Sequence, residues 1–398
     1  GAWDAAEAEA SGSEASGSSG GDAGGPAAAC DGGLEAAALQ RLVEFGEYYG
    51  AQGLCSPEDW RLSLERLRAP LPPAFRLLPF GAGAGAREDA ALLERLAPWG
   101  PEAVPWCPGA YRLLAAGGLG AKGRLCDARL NKLLVGWQRS GRISRQETAS
   151  MLPVQALGLR PEHLALDLCA APGSKTLQAL ERLLAGRGAE EAEPPPGLLV
   201  ANDFKSKRLN KLIERLRRAP ASPLLATCAD ARKYPNLLWA AERRGRLRFD
   251  RVLCDVPCSG DGTVRKARGL LAQWTPRAGL AHHGGQLAIL RRGLEQLAPG
   301  GLLAYSTCAL NPVECEAVVA AALAQAVGSV EVVPVEVPGL QLSPGVSSWL
   351  VPAPAAATGA DVPPGGVTYA CWEQVPQGDR NSGRLRRSMF PPAAYCRT

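Results

Sequence analysis

Five short apolar runs, each with an acid or a cysteine at or just past its end and most followed by a helical stretch, dictate the fold of the second half of this chain. They are Leu164–Leu168, Leu198–Asp203, Pro223–Asp230, Arg251–Val256 and Leu302–Cys308. Runs this short and this uniformly apolar fit strands covered on both faces, and alternation with amphipathic helices is the pattern of a parallel sheet. The expected fold class is α/β: a doubly wound, mostly parallel sheet, with Val330–Val337 read as a sixth strand. Such sheets place their chemistry outside the carboxyl ends of the strands. The residues at those ends are therefore the candidates for function.

The flanking segments read differently. Residues 1–33 are Gly, Ser, Ala and acid, too poor in apolar side chains to offset ordering entropy, and are expected to be a disordered tail. From Leu34 to about Leu67 apolar residues recur at helical spacing, with Ser56-Pro57-Glu58-Asp59 as a helix start. Arg68–Pro73 ends that unit, and Gly81–Ala86 reads as a flexible loop. Leu130–Val135 and Gln146–Leu152 read as helical, the latter stopping before Pro153. The expected organisation is tail 1–33, a mostly helical region 34–153, a catalytic domain 154–328, and a small α+β extension 329–398 with weak strand signals at Val367–Trp372. The chain opens on Gly1 rather than Met, so a native start further upstream is expected.

Charge and cysteine usage narrow the class. The first 40 residues hold seven acids and no Lys or Arg, which leaves 44 basic against 32 acidic side chains over the rest. That balance is compatible with a polyanionic partner, and equally with an ordinary solvated surface. No apolar run reaches the roughly 18 residues of a membrane span, and no membrane role is expected. The twelve cysteines include no Cys-x-x-Cys and there are three histidines, so no metal is expected. Cysteines on apolar strands (Cys169, Cys228, Cys254) fit a reducing compartment.

The first strand end carries Cys169-Ala170-Ala171-Pro172-Gly173-Ser174-Lys175 and then a helix. Such a turn offers backbone N–H groups and a helix start to a polar cofactor. It is no P-loop, because Leu168 and Ser174 stand where the glycines belong, and Gly173 alone cannot make a dinucleotide fingerprint. The next strand ends in Asp203, placed to take both ribose hydroxyls of an adenosine-bearing cofactor. The insert Gly186–Gly197 explains why it lies further than the usual ~20 residues downstream. Asp230 follows the third strand, suited to accept from an adenine amino group, and Asp255 ends the fourth.

Two thiols complete the set, Cys258 in Asp255-Val256-Pro257-Cys258 and Cys308 in Tyr305-Ser306-Thr307-Cys308. A free thiol titrates at about pH 8.5, so attack at neutral pH needs a cationic or hydrogen-bonding neighbour; Lys175, Arg265 and Lys266 are candidates. Taken singly, each cysteine is more often a buried structural residue. Together with an adenosyl cofactor and strand-end acids, they suit methylation of a pyrimidine ring carbon. Carbon 5 of cytosine is too weak a nucleophile until a thiolate adds at carbon 6 and a carboxylic acid at N3 stabilises the adduct.

The runs Leu166–Thr176, Asp255–Lys266 and Tyr305–Glu314 resemble the NSUN family of RNA cytosine-5 methyltransferases, and the whole is most similar to its eukaryotic tRNA branch. Weaker supporting runs are Gly141–Glu147, Ser150–Pro153, Arg68–Pro72 and Ser388–Pro392, so the resemblance extends from about residue 40 to the C-terminus. It implies a class I S-adenosylmethionine-dependent methyltransferase fold. It implies Cys308 as nucleophile, Cys258 for product release, Asp255 on the target base and Lys175 assisting it. It further implies a cofactor held by residues 169–175, Asp203, Arg208, Asp230 and Asp255. In DNA cytosine-5 methyltransferases the Pro-Cys thiol attacks instead, so the role of Cys308 rests on the resemblance. The expected partner is RNA, tRNA first, with rRNA or DNA methylation and a catalytically silent RNA-binding protein as alternatives. A monomer in the nucleus or nucleolus, or else the cytoplasm, is expected.

Two departures from the family pattern carry expectations of their own. Gly117–Gly120 replaces a basic stretch, which weakens RNA docking there, and relatives continue past Tyr395-Cys396-Arg397 into a further strand, so a truncated sheet is expected. Basic side chains cluster in Lys205–Arg218 (Lys205, Lys207, Arg208, Lys211, Arg215, Arg217, Arg218) and again at Arg384, Arg386 and Arg387. Either cluster can be a solvated face or a set of phosphate contacts.

Overall fold

The computed structural model describes residues 36–79, 85–117, 125, 127–185, 196–217, 223–239, 245–267, 269–326, 328–354 and 366–392. The tail 1–33, most of the Gly-Ala loop, most of the insert 186–197, most of Gly117–Gly120, Arg218 and Tyr395–Arg397 lie outside the described residues.

Helix α1 (Ala36–Gln52) is followed by α2 (Pro57–Arg68), whose start is fixed by the Ser56 hydroxyl accepting from the Asp59 N–H, as the Ser-Pro-Glu-Asp pattern anticipates. Then comes a departure from the helical expectation. Strands β1 (Ala74–Leu77), β2 (Pro101–Ala103), β3 (Ala110–Leu113) and β4 (Ile143–Arg145) form an antiparallel sheet in the order β2-β3-β1-β4, flanked by α3 (Ala86–Leu96) and α4 (Ala128–Arg139). Strands of three or four residues are too short to show an alternating pattern in sequence. The stretch before Pro153 is also different: β4 runs to Arg145, and α5 (Leu152–Ala156) starts at the proline instead of ending there. Proline is tolerated in a first turn, where its missing N–H has no partner to lose.

The second half is the parallel sheet expected. Strands β5 (Leu164–Asp167), β6 (Leu198–Asn202), β7 (Leu224–Thr227), β8 (Phe249–Asp255) and β9 (Leu297–Ser306) stand in the order β7-β6-β5-β8-β9, every pair parallel. Helices α6 (Ser174–Leu183) and α7 (Ser206–Leu216) cover one face with α5, packing Leu177, Leu180, Leu183 and Leu212 onto Ala165, Leu199 and Leu253. The opposite face buries Leu166, Val200, Phe249 and Val252 beneath Tyr234 and α9 (Ala278–Gln296), which follows the short α8 (Gly269–Gln273).

Past α10 (Glu316–Gln325), Val330–Val337 forms no strand, and Val332, Val333 and Val335 are exposed. Strand propensity expresses itself only against a neighbour, and none pairs with it among the described residues. The extension does form a hairpin-like pair, β10 (Val351–Pro352) with β11 (Thr368–Tyr369), before α11 (Gln377–Asn381). Its core of Trp349, Val351, Leu385 and Met389 packs onto Val313 and Ala317 at the foot of α10. The N-terminal sheet is tied to the parallel one by polar contacts. Arg76, 2% exposed, pairs with Glu181 of α6 and donates to Gln146 Oε1 at 2.9 Å, while Arg215 of α7 reaches Ser144 Oγ at 2.9 Å.

Candidate active site

β8 and β9 are parallel neighbours in which Asp255 stands opposite Ser306. The chain therefore leaves the sheet from both strands side by side, and the cysteines that follow meet. Cys258 Sγ lies 3.1 Å from Cys308 Sγ, both as free thiols. The two loops are laced together. Gly262 N–H donates to the Cys308 carbonyl (2.9 Å), Leu310 N–H to Asp261 Oδ1 (2.7 Å), and Ser259 N–H to Glu314 Oε1 (2.9 Å), with the Ser259 hydroxyl on Oε2. Position 262 must be glycine, because a Cβ there would sit 2.7 Å from the Cys308 carbonyl oxygen. From α9, Gln286 closes the arrangement by donating to Glu314 Oε1 and the Pro257 carbonyl, both at 3.0 Å. α1 supplies a wall, packing Phe45, Tyr48 and Tyr49 onto Val264, Leu271 and Trp274, with the Tyr49 hydroxyl donating to Asp261.

The two sulfurs are electrostatically unequal. The two thiols share a hydrogen bond in which either sulfur can donate, and the Cys308 N–H also donates to Cys258 Sγ at 3.3 Å. With Cys258 as the donor, the thiol–thiol bond holds Cys308 below the usual thiol range; Lys175 acts in the same direction, against burial and Asp255. The same bond, followed by burial, pushes Cys258 well up. The pair thus favours a thiolate on exposed Cys308 and a proton on Cys258. Beside them Lys175 Nζ donates to Asp255 Oδ2 at 2.7 Å and to Ser150 Oγ at 3.0 Å, and the Ser306 hydroxyl donates to Asp255 Oδ1 at 2.7 Å. The Asp255 side chain keeps 30% exposure, so its carboxylate is oriented and still reachable.

Residues 169–175 form the expected turn from β5 into α6. Gly173 holds a left-handed φ of +101°, and a Cβ on it would strike Leu212 Cδ1 at 2.5 Å, so the loop lies flush on α7. Asp203, just past β6, is 3% exposed and accepts from the Ala171 N–H (3.2 Å) and the Lys205 N–H (3.0 Å). Arg208 stands 3.5 Å from it and donates to the Ala171 carbonyl at 2.7 Å. Burial pushes the Cys169 thiol far up. Asp230 lies one strand further out, its carboxylate bound by Arg232 and held below the usual carboxylate range by it.

Cys308, Cys258, Asp255 and Lys175 are therefore brought together, the loop 169–175 is joined to Asp203 and Arg208, and Asp230 stands apart. Of the basic helix, Lys207, Lys211 and Arg217 are exposed, whereas Arg208 and Arg215 are turned onto the protein. Sequence reasoning gave no role to Ser150, Ser306, Ser259, Asp261, Glu314 or Tyr49, nor to Asp167. Burial pushes the Asp167 carboxyl up to about 7, although it accepts from the Thr176 hydroxyl at 2.8 Å. The signal available for Glu314 was its place six residues past Cys308, just before the helix that begins at Glu316. No group of His, Cys, Asp and Glu suited to a metal occurs among the described residues.

Comparison with known proteins agrees with this arrangement. Residues 154–359 match the family model described as 16S rRNA methyltransferase RsmB/F. A tRNA (cytosine(34)-C(5))-methyltransferase of Drosophila melanogaster is 39% identical over 77% of this chain and 44% of its own length. The multisite-specific tRNA:(cytosine-C(5))-methyltransferase of Saccharomyces cerevisiae is 38% identical over 77% of this chain and 46% of its own. The chain thus spans about half the length of the curated relatives it matches. Among solved structures, a methyltransferase homologue from Pyrococcus horikoshii superposes with a TM-score of 0.51 at 24% identity, covering 83% of this chain and 90% of that one. NSun6 from the same organism, solved with SFG, gives 0.54 at 19%, covering 71% and 87%. These two share the fold. With just over half of its residues inside the family model, the chain belongs to the RsmB/F methyltransferase family.

Proposed function

We propose that this chain catalyses S-adenosylmethionine-dependent methylation of carbon 5 of cytosine in RNA, with tRNA as the substrate, through a covalent adduct of Cys308 at carbon 6. The observation that carries the reading is the 3.1 Å contact between the Cys258 and Cys308 thiols beside the Lys175–Asp255 pair. The similarity to tRNA enzymes at 38–39% identity supports tRNA over rRNA. The second reading, rRNA, has the family description and a 33% identical ribosomal RNA small subunit methyltransferase F of Klebsiella pneumoniae in its favour.

The residues present suit the cofactor. Successive strand ends offer Asp203, Asp230 and Asp255, carboxylates that match a cation bearing a ribose diol and an amine as donors, and the turn 169–175 with Arg208 forms the adjoining wall. When bound, the cofactor supplies an electrophilic methyl group. Cys308 attacks carbon 6 as the thiolate, forming the S–C bond and moving the electron pair toward carbon 5. Asp255, oriented by Lys175 and Ser306, faces the N3 edge of the base and donates there as the carboxylic acid, having taken a proton from the Lys175 ammonium on Oδ2. After transfer a solvent base takes the carbon 5 proton, the bonding pair it leaves re-forms the ring double bond, and Cys308 departs as a thiolate. The Cys258 hydrogen bond that favours the free thiolate also makes it the better leaving group.

The test is transfer of labelled methyl groups to tRNA by wild type, Cys308→Ala and Cys258→Ala. The expected result is no transfer by Cys308→Ala and an SDS-resistant protein–RNA adduct with Cys258→Ala. Full transfer by Cys308→Ala would overturn the mechanism, and transfer to rRNA in place of tRNA would favour the second reading.

A further inference from the structure

A cleft of about 660 Å³ lies between α9, the turn that follows Asp230, and the segment around residues 383–386. Among the described residues, four arginines line it (Arg232, Arg277, Arg384 and Arg386) and no acid does. Its α9 side is made of small residues, among them Gly284 and Gly285. The Arg386 guanidinium lies against Gly284, where a Cβ would come within 2.8 Å of Nη1 and 3.1 Å of Cζ. Among the described residues, Arg232 is paired with Asp230 but no carboxylate pairs with Arg277, Arg384 or Arg386. Arg387, next in the chain, turns away to Glu373 at 3.2 Å. The cluster seen in the sequence is thus split, and two arginines from distant segments join its remainder.

Three uncompensated guanidiniums gathered on one concavity repel one another, and the arrangement favours an anion. The space exceeds what a single phosphate fills, and the cations come from separate elements, which suits a chain of phosphates. Guanidinium forks match phosphate oxygens bidentately, and glycine at the wall lets a backbone approach closely. The cleft also lies close to the chemistry. Gln286, on the same helix as Gly284 and Gly285, reaches the Pro257 carbonyl and Glu314 on the cysteine loops. Cleft and cysteines therefore flank one helix, about 10 Å across. A target base that must leave its stack needs its strand gripped beside it.

We infer that this cleft holds the sugar–phosphate backbone of the RNA next to the target base, with Arg277, Arg384 and Arg386 each neutralising a phosphate. The inference rests on the reading that RNA is the substrate. The test is tRNA binding to the full chain, followed by fluorescence anisotropy between about 50 and 200 mM salt, for wild type, R277A/R384A/R386A and R277K/R384K/R386K. The alanine variant is expected to lower the slope of log affinity against log salt by about 2 to 3 and to weaken binding at low salt at least tenfold. The lysine variant is expected to keep the slope. An unchanged slope in the alanine variant overturns the inference even if affinity falls, because a structural loss does not remove counterion release. Should the triple variant fail to fold, Arg384→Ala alone, on an exposed residue, is expected to lower the slope by about 1. Methyl transfer by the wild type is measured in parallel. Salt-dependent tRNA binding without transfer refutes the proposed activity and leaves the slopes to judge the cleft; transfer with unchanged slopes refutes the cleft alone. A wild type that binds no RNA refutes the cleft as well.

Discussion

Replacing Glu314 by alanine removes the acceptor for three hydrogen bonds at once: the Ser259 N–H, the Ser259 hydroxyl and the Gln286 amide. The carboxyl is fully buried, so each donor left behind costs about 1–3 kcal/mol. Burial already pushes the Glu314 carboxyl up, and alanine relieves that penalty, which trims the total. The net expectation is a loss of about 4 kcal/mol, a melting point lower by about 8–16 °C. The functional consequence is more specific. Ser259 follows Cys258 directly, so freeing it lets the thiol drift from its 3.1 Å contact with Cys308, and the leaving thiolate loses its donor. Single-turnover reactions with tRNA should then accumulate an SDS-resistant adduct at temperatures where the variant is still folded. Glu314→Gln separates position from charge. Its oxygen can keep the Ser259 N–H and Gln286 bonds while its NH2 donates to the Ser259 hydroxyl, so stability and release should stay close to wild type. A Glu314→Ala protein that melts within about 2 °C of wild type and releases product normally would refute the reasoning, as would a Glu314→Gln protein as impaired as the alanine variant.

Two further perturbations follow from the same geometry. Lys175→Met removes the 2.7 Å charge-assisted bond to Asp255, worth about 1.5–3 kcal/mol, and should slow methyl transfer about 10- to 150-fold while moving the acid-side limb, on which the rate rises with pH, upward as Cys308 loses a cation; an unchanged pH–rate profile counts against a role for Lys175 in setting the thiolate. Burial raises Asp167 to about 7 and Asp261 to about 6, so the folded state binds these protons more tightly than the unfolded chain, and their stabilisation is full below about pH 4 and lost as pH rises to 6–7. Asp167→Asn should therefore gain stability relative to wild type on the order of 3–4 kcal/mol more at pH 8 than at pH 4, read by chemical denaturation; a pH-independent difference contradicts a buried, proton-holding Asp167.

What could be read from the sequence was set by how local the signal was. The strands and their terminal acids were legible because a buried parallel strand is a continuous apolar run, and Asp203 and Asp255 stand directly at its end. Boundaries were less so: β9 begins at Leu297, not Leu302, because Ala298-Pro299-Gly300-Gly301 looks like a turn but is absorbed as a bulge opposite Phe249–Arg251. Val330–Val337 has the composition of a strand and lacks only a partner. The contacts that brace the cysteines were not legible at all. Ser259 and Glu314 are 55 residues apart, Tyr49 and Asp261 are 212 apart, and no periodicity links them.

The choice of nucleophile shows the same limit in chemical terms. In the sequence the thiols are alike, each at a strand end among small residues, and resemblance alone favoured Cys308. The fold breaks that symmetry through the surroundings of each sulfur. Cys258 is clamped from behind by Pro257 and Ser259, which Gln286 and Glu314 hold. Cys308 is left exposed, and Lys175 favours negative charge on it. Reversing the roles would make Cys308 the donor and put the charge on a sulfur that burial and Glu314 disfavour as an anion, with the Cys308 N–H as its stabilising donor. Alkylation makes this distinction measurable: at neutral pH iodoacetamide should label Cys308 ahead of Cys258, and Cys258→Ala should slow the labelling of Cys308 by removing the donor that lowers its pKa. Faster labelling of Cys258 in the wild type would mean that the attacking sulfur is the Pro-Cys thiol after all.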